Sequence, residues 1–517
     1  MPPAKNRAGA RKARQPRILI VTPEITYLPN GMGNMANRLS AKAGGMADVS
    51  ASLVSALFEM GVDVHVAIPN YRQLFSIDIN QLISDELRLY QRKLPHDRIH
   101  LAEDRIFYYR SAVYGNYESE NPRLSLAFQR EVINNIIPRV HPDLIHCNDW
   151  MTGLIPAHAR RLGIPSLFTV HNIHTQLMEL AKIEDYGIDA AGFWLNLYYV
   201  YPPSTYEETR DRDPVDFLTS GIFAAHFINT VSKSFLEEIV EGQHDFILPH
   251  IRNELRGKYY AGCATGILNA PDGSYTPSTD PALQVNYTSA DHREGKRKNK
   301  LHFQKSMGLF EEQDAPIFFW PSRLDPQQKG CQLLAEILEA IVRDYGFEGL
   351  QVAMVSRGPF AHEFHEIIRS RNLQGRVSLR DFDEDLSRQG FAAADFVLMP
   401  SLFEPCGLPQ MIGILYGALP VVRETGGLKD TVFPLDVKNS TGNGFTFRDF
   451  DAGGLRWGVD RAMDFYRLPE SMRETQTKRI MTDGEKTFRH DVTAAEYIKL
   501  YEKMLERPLV TKDMGAG

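Results

Sequence analysis

Cysteine is scarce. There are four in 517 residues, Cys147, Cys263, Cys331 and Cys406, and no CxxC pair among them. That excludes a disulfide framework and fits a reducing compartment, so a cytoplasmic protein is expected. No apolar run reaches the roughly 18 residues a membrane helix needs, and no membrane partner is expected. The first 17 residues are basic and rich in small side chains, but the apolar stretch that follows, RILIVTP, is too short for a signal segment. Residues 1–16 are expected to form a disordered tail; contact of that tail with an anionic partner is the alternative. There is no surplus of positive charge either: 58 Lys and Arg stand against 65 Asp and Glu, a net charge of -7. That balance argues against a nucleic-acid partner. The GxSxG elbow, the P-loop and HExxH are all absent, and no clear GxGxxG follows the first strand. Several hydrolase, ATPase and oxidoreductase readings fall with them.

What is present is a globular chain, 43% hydrophobic and 24% charged, too long for one core. Residues 17–22 form an apolar run of strand length. A loop follows, then AKAGGMADVSASLVSALFEMG, a glycine turn feeding a helix, then the β-branched run VDVHVAI at 62–68. Strand, helix, strand is the mark of a parallel α/β sheet. Further strands are expected at 143–147, 166–170 and 227–231, and a helix over SKSFLEEI. Residues 172–216, rich in Tyr and Pro, are expected as a lid or loop insertion outside the core. A stretch dense in Pro, Ser, Thr and Asn near 266–290 marks a boundary. A second series then begins: strands at PIFFW, LQVAMV, DFVLM and LPVV, an amphipathic helix over CQLLAEILEAIVRDY, and a last helix at 492–505. The expected division is a tail 1–16, a Rossmann-like domain 17–265, a linker 266–309, a second Rossmann-like domain 310–490 and a C-terminal segment 491–517. Two facing α/β domains place a ligand cleft at the carboxyl ends of both sheets.

Several residues at those strand ends can carry chemistry. Lys42, Gly44 and Gly45 stand just before a helix, where glycines admit a ligand to the backbone and a lysine adds charge for a phosphate; an ordinary glycine turn has the same composition. Arg323 and Lys329 share one loop after a strand and can reach one diphosphate, stabilising it as a leaving group; a solvated basic turn is the alternative. Glu404, in EPCGLPQ, can bind sugar hydroxyls or stabilise positive charge at an anomeric carbon, or else serve a helix N-terminus. Thr425, Gly426, Gly427 and Leu428 form another glycine turn whose amides suit a phosphate. His171 ends a strand and can face the cleft. His146, Asp149 and His174 invite a metal, but no cysteine pair or HExxH spacing supports zinc, and no metal or other cofactor is expected.

KAGGMADV, HCNDW, TVHN, NTVS, SRL…QKG, EPCGL and RETGGLKDTV, in this order and spacing, closely resemble the landmarks of the bacterial and plant glycogen (starch) synthases. The likeness runs from about residue 17 to about residue 505. It implies the GT-B fold: two Rossmann-like domains facing across a deep cleft, with a C-terminal helix crossing back to the first. It also implies transfer of glucose, with retention, from ADP-glucose, or UDP-glucose in some members, to the non-reducing end of an α-1,4-glucan without a metal. By the resemblance, Lys42 and Gly44–Gly45 meet the nucleotide sugar, and Asp149 and His171 line the sugar site. Arg323 and Lys329 hold the diphosphate, Glu404 contacts glucose, Thr425, Gly426, Gly427 and Leu428 support the phosphates, and Tyr416 belongs to the donor-binding set.

The chain also departs from the family pattern. The loop before Lys42 is longer, which would give a further contact surface for glucan. GILNAPD replaces the usual GIxNGID at Ala270 and Pro271. One residue is added between Arg323 and Lys329, Ile414 and Leu415 precede Tyr416, and His490 stands where a Trp is common. Ile412, eight residues after Glu404, replaces a second Glu common in other retaining enzymes of this fold, which favours the synthase type. The competing readings are another retaining GT-B transferase with a different acceptor, and a non-catalytic glucan-binding homologue.

Overall fold

In the computed structural model, residues 14–33, 36, 39–75, 98–115 and 120–510 are described. The disordered-tail expectation for residues 1–13, and part of the lengthened loop before Lys42, lie outside them. Residues 14–16 are pinned: Arg14 pairs with Asp143, and Gln15 donates to the carbonyl of Gly61.

The first domain is built on a seven-stranded parallel sheet. Its main strands are β1 (Arg17–Val21), β2 (Asp63–Pro69), β3 (Ile99–Ala102), β4 (Leu144–Asn148) and β5 (Ser166–Val170). After an antiparallel pair, β6 (Leu177–Glu179) and β7 (Pro214–Asp216), come β8 (Phe227–Thr230) and β9 (Ala264–Gly266). The order across the large sheet is β3-β2-β1-β4-β5-β8-β9. The second domain has a six-stranded parallel sheet of β10 (Ile317–Trp320), β11 (Gln351–Val355), β12 (Val377–Arg380), β13 (Phe396–Met399), β14 (Leu419–Arg423) and β15 (Phe445–Phe447), in the order β12-β11-β10-β13-β14-β15. Helices cover both faces of each sheet. The central strands are therefore buried on both sides, and several read as unbroken apolar runs such as IFFW and FVLM. In each sheet the strand order reverses beside the first strand, at β1–β4 and at β10–β13, and that switch opens a crevice beyond the carboxyl ends.

The last helix, His490–Leu505, leaves the second domain and buries Ala494, Tyr497 and Tyr501 in the core of the first. Their spacing of three and four residues puts them on one helical face. Two buried hydrogen bonds fix it, from Asn229 to the Tyr497 hydroxyl (2.8 Å) and between His146 Nδ1 and the Tyr501 hydroxyl (2.8 Å).

Two expectations need correction. Residues 172–216 are not a loop lying outside the core: Leu180, Ile183, Phe193, Tyr199 and Val215 are buried in the first-domain core, and β6 pairs with β7. Tyr and Pro density masked that apolar content. Nor is 266–309 a linker throughout. The helix His292–Met307 buries Phe303 and Met307 against the second sheet, an apolar stripe hidden by its many charged residues.

Candidate functional site

On the first-domain side, β1 ends in a loop that leads through Lys42 into the helix Gly45–Glu59. Glu24 is buried there and accepts hydrogen bonds from the amides of Ala43 (2.7 Å) and Gly44 (3.0 Å) and from the Tyr114 hydroxyl (3.3 Å). Burial raises its carboxyl above the usual range in spite of those donors. The amide of Gly44 is thus already satisfied. Among the described residues, nothing lies within 4 Å of where a Gly44 side chain would begin. The Lys42 ammonium contacts Asp48 at 3.0 Å and, on the second domain, Glu384 at 3.8 Å. Burial works against its charge, but these carboxylates outweigh it and hold its pKa above the ordinary value.

At the ends of β4 and β5, Asp149 is buried with φ +58°, and it organises the turn after His171. One carboxylate oxygen accepts the His171 amide at 2.7 Å and the other accepts the Asn172 side-chain amide at 3.0 Å. Burial pushes the Asp149 carboxyl up to about 7, against the pull of the His171 and Asn172 amides. His171 bonds Asn148 Oδ1 through Nε2 at 2.9 Å, and burial lowers its imidazole to about 4. It is therefore neutral at physiological pH. Asp149 holds His171 in place and has its oxygens committed to that task. His146 is spent on structure: both ring nitrogens are bonded, to Tyr501 and to Thr169 (2.6 Å).

On the second-domain side, the loops after β10, β13 and β14 meet. The chain around Arg323 is anchored at Ser322 O, which accepts from Trp320 Nε1 (2.7 Å) and Ser356 Oγ (2.6 Å), and at the Leu324 amide, bonded to Arg357 O (3.0 Å). Arg323 itself is exposed, and no partner touches its guanidinium among the described residues. This is a cation on a fixed base with its charge free. Six residues on, the Lys329 ammonium meets Glu404 Oε2 at 2.5 Å, with both side chains largely buried at 11% and 8% exposed. Ser401 Oγ donates to the same oxygen at 3.1 Å. Gly330, with φ +72°, is required here because a side chain would strike Pro400 O at 2.2 Å.

The two sides face each other. A side chain at Gly45 would touch Leu408 of the EPCGL loop at 3.5 Å. That approach brings the Lys42–Gly45 turn to the loop that carries Glu404, and two of the expected site groups need correction. Tyr416 is fully buried under the second sheet, its hydroxyl bonded to Asp280, and does not reach the cleft. The amides of the Thr425–Leu428 turn are not open to a phosphate: Gly426 N bonds Glu238 Oε1 (2.8 Å), Gly427 N bonds Glu404 O (2.9 Å) and Leu428 N bonds Thr425 O (3.0 Å). Sequence reasoning missed Glu24 and Glu238. Glu24 is a lone acid in a short loop and Glu238 is one of three glutamates on its helix, and only burial beside backbone amides distinguishes either.

Two doubly wound parallel-sheet domains in contact through the loops at their strand ends have the architecture of the GT-B glycosyltransferases. Residues 17–253 match the starch synthase catalytic domain family, and residues 315–456 match the group 1 glycosyl transferases. The chain is 33% identical to a glycogen synthase of Moorella thermoacetica over 95% of this chain and 97% of that one. It is 32% identical to one of Syntrophotalea carbinolica, over 90% and 96%. Among solved structures it resembles the catalytic domain of starch synthase IV from Arabidopsis thaliana, bound to ADP and acarbose. The TM-score there is 0.75 at 26% identity, covering 96% of this chain and all of that one. This chain belongs to the glycogen (starch) synthase family and is a glycosyltransferase. No described helix is long and apolar enough to cross a membrane.

Proposed function

We propose that this protein is a cytoplasmic enzyme that transfers glucose from ADP-glucose to the non-reducing end of an α-1,4-glucan with retention of configuration. The observation that carries this reading is the buried Lys329–Glu404 pair opposite the Lys42–Gly45 turn, with Arg323, unpartnered among the described residues, on the same loop as Lys329. The choice of ADP-glucose is supported by the bacterial glycogen synthases among the relatives and by the ADP in the starch synthase neighbour.

In this scheme Arg323 and Lys329 hold the donor diphosphate and neutralise the charge that grows on it as it leaves. Lys42 adds charge from the opposite domain. Glu404 lies beside the glucose as a binding and electrostatic group. The His171 backbone carbonyl, fixed by Asp149, stabilises positive charge at the anomeric carbon. The acceptor 4-hydroxyl approaches from the side on which the diphosphate departs. The bond from the anomeric carbon to the β-phosphate oxygen breaks, the bond to the acceptor oxygen forms, and the acceptor proton passes to the departing phosphate oxygen. The products are ADP and a glucan one residue longer.

The test is glucose transfer onto glycogen from ADP-glucose and from UDP-glucose separately, by wild type and Glu404→Ala. Transfer from ADP-glucose that the variant loses is expected. A folded wild type that transfers from neither donor refutes the reading.

A further inference from the structure

Glu404 belongs to the second domain, yet much of what fixes it comes from the first. Phe403, immediately before it, packs against the first-domain core, its ring 4.4 Å from Phe246 and 6.2 Å from His244. From the other side, the Glu404 carbonyl accepts the Gly427 amide. There is no slack in that contact, because a side chain at Gly426 would lie 2.0 Å from Glu404 O and one at Gly427 2.1 Å from Cys406 O. The turn that presses on Glu404 is itself held by Glu238, on the first-domain helix Lys233–Glu241. Glu238 Oε1 accepts the Gly426 amide (2.8 Å), while Oε2 accepts the Thr425 hydroxyl (3.1 Å) and meets His244 Nε2 (2.9 Å). The exchange is reciprocal: Asp430 of the second domain accepts the Ser234 amide (2.9 Å) and the Ser234 hydroxyl (2.6 Å) near the start of the first-domain helix. Glu238, His244 and Thr425 are all buried.

We propose that Glu238 is a positioning residue for glucosyl transfer: by holding Thr425 and Gly426 it places Glu404, and it does so only while the two domains are in contact. Separating the domains breaks the Glu238 and Asp430 pairs together and withdraws Phe403 from its first-domain seat. The geometry of Glu404 is therefore coupled to closure of the cleft. Loss of one Glu238 oxygen leaves a buried donor of Thr425 or Gly426 unpaired and frees the turn that Glu404 leans on. The inference rests on the reading of Glu404 as a group of the reacting centre.

The experiment compares kcat and the KM for ADP-glucose, with glycogen as acceptor, in wild type, Glu238→Gln, Asp430→Asn and Glu404→Ala. Glu238→Gln is expected to lower kcat by about tenfold to a hundredfold, the scale of a small misplacement at a reacting centre, with KM for the donor changed less than about threefold. Asp430→Asn is expected to act in the same direction. A Glu404→Ala enzyme that keeps full activity refutes the reading of Glu404 itself. If Glu404→Ala is inactive while Glu238→Gln keeps kcat within twofold, or loses activity through KM alone, the positioning role is overturned. Should Glu238→Gln not fold, Asp430→Asn decides: an unchanged kcat there overturns the proposal.

Discussion

Replacing Gly427 with alanine adds one methyl group at a point where the structure has no space for it. The new carbon would lie 2.1 Å from Cys406 O, 2.5 Å from Cys406 Cα and 2.6 Å from Cys406 C, whereas such contacts essentially never fall under 3.0 Å. All three neighbours are backbone, so no side chain can swing aside. Either the 404–406 segment or the turn at Gly426 must move by about 1 Å, and a displacement of that size at a reacting centre costs on the order of a hundredfold in rate. Overpacking of this kind also costs about 1–3 kcal/mol of stability. Moving the turn would strain the 2.8 Å bond from Gly426 to Glu238, and moving the segment would shift Glu404 directly. The assay is the initial rate of glucose transfer to glycogen at saturating donor, alongside urea unfolding. A folded Gly427→Ala protein with kcat within about threefold of wild type would show that Glu404 need not be held to this precision, and the argument would fail.

Arg323→Ala is expected to leave the urea midpoint nearly unchanged, because the guanidinium has no partner among the described residues, while lowering kcat by roughly a hundredfold; a normal rate would remove Arg323 from the leaving-group site. Lys329→Met is expected to lower both kcat and stability, since it strands Glu404 in a buried position, at a cost of about 3–5 kcal/mol; unchanged unfolding would contradict the burial of that pair. Asp149 supplies a pH test. Burial raises its carboxyl from an unfolded value near 3.9 to about 7, so the folded state binds the extra proton and this source of stability is lost as pH rises from about 4 to about 7. Between pH 5 and pH 7.5 the loss is about 2.5 kcal/mol, so Asp149→Asn should flatten the decline seen by urea unfolding; parallel declines in both proteins would refute it. Lys296 donates to the carbonyls of Ala392 (3.0 Å) and Tyr416 (3.0 Å) near the ends of two helices, and Lys296→Met is expected to cost about 2–3 kcal/mol with no change in KM; an unchanged urea midpoint would contradict it.

The sequence by itself determined the architecture and pointed to candidate residues at the strand ends. Short apolar runs such as RILIV, IFFW and FVLM, alternating with helical patterns, read as parallel strands covered on both faces, and residues that follow such strands lie near the crevice where the order reverses. Lys42, Arg323, Lys329 and Glu404 stand out as candidates for that reason: each is a charged residue in a loop that follows a strand. What only tertiary structure decided is which polar groups are already taken. The TGG turn looks like a phosphate cradle in isolation, but Glu238, almost two hundred residues away in sequence, occupies the Gly426 amide. Asp149 looks like a sugar ligand, yet its oxygens are used on His171 and Asn172. Tyr416 looks like part of a binding motif, and packing buries it with Asp280. Local pattern reports where a side chain can stand along its own strand or helix. Whether its hydrogen bonds are free depends on a partner brought in from a distant part of the chain, and no local pattern carries that information.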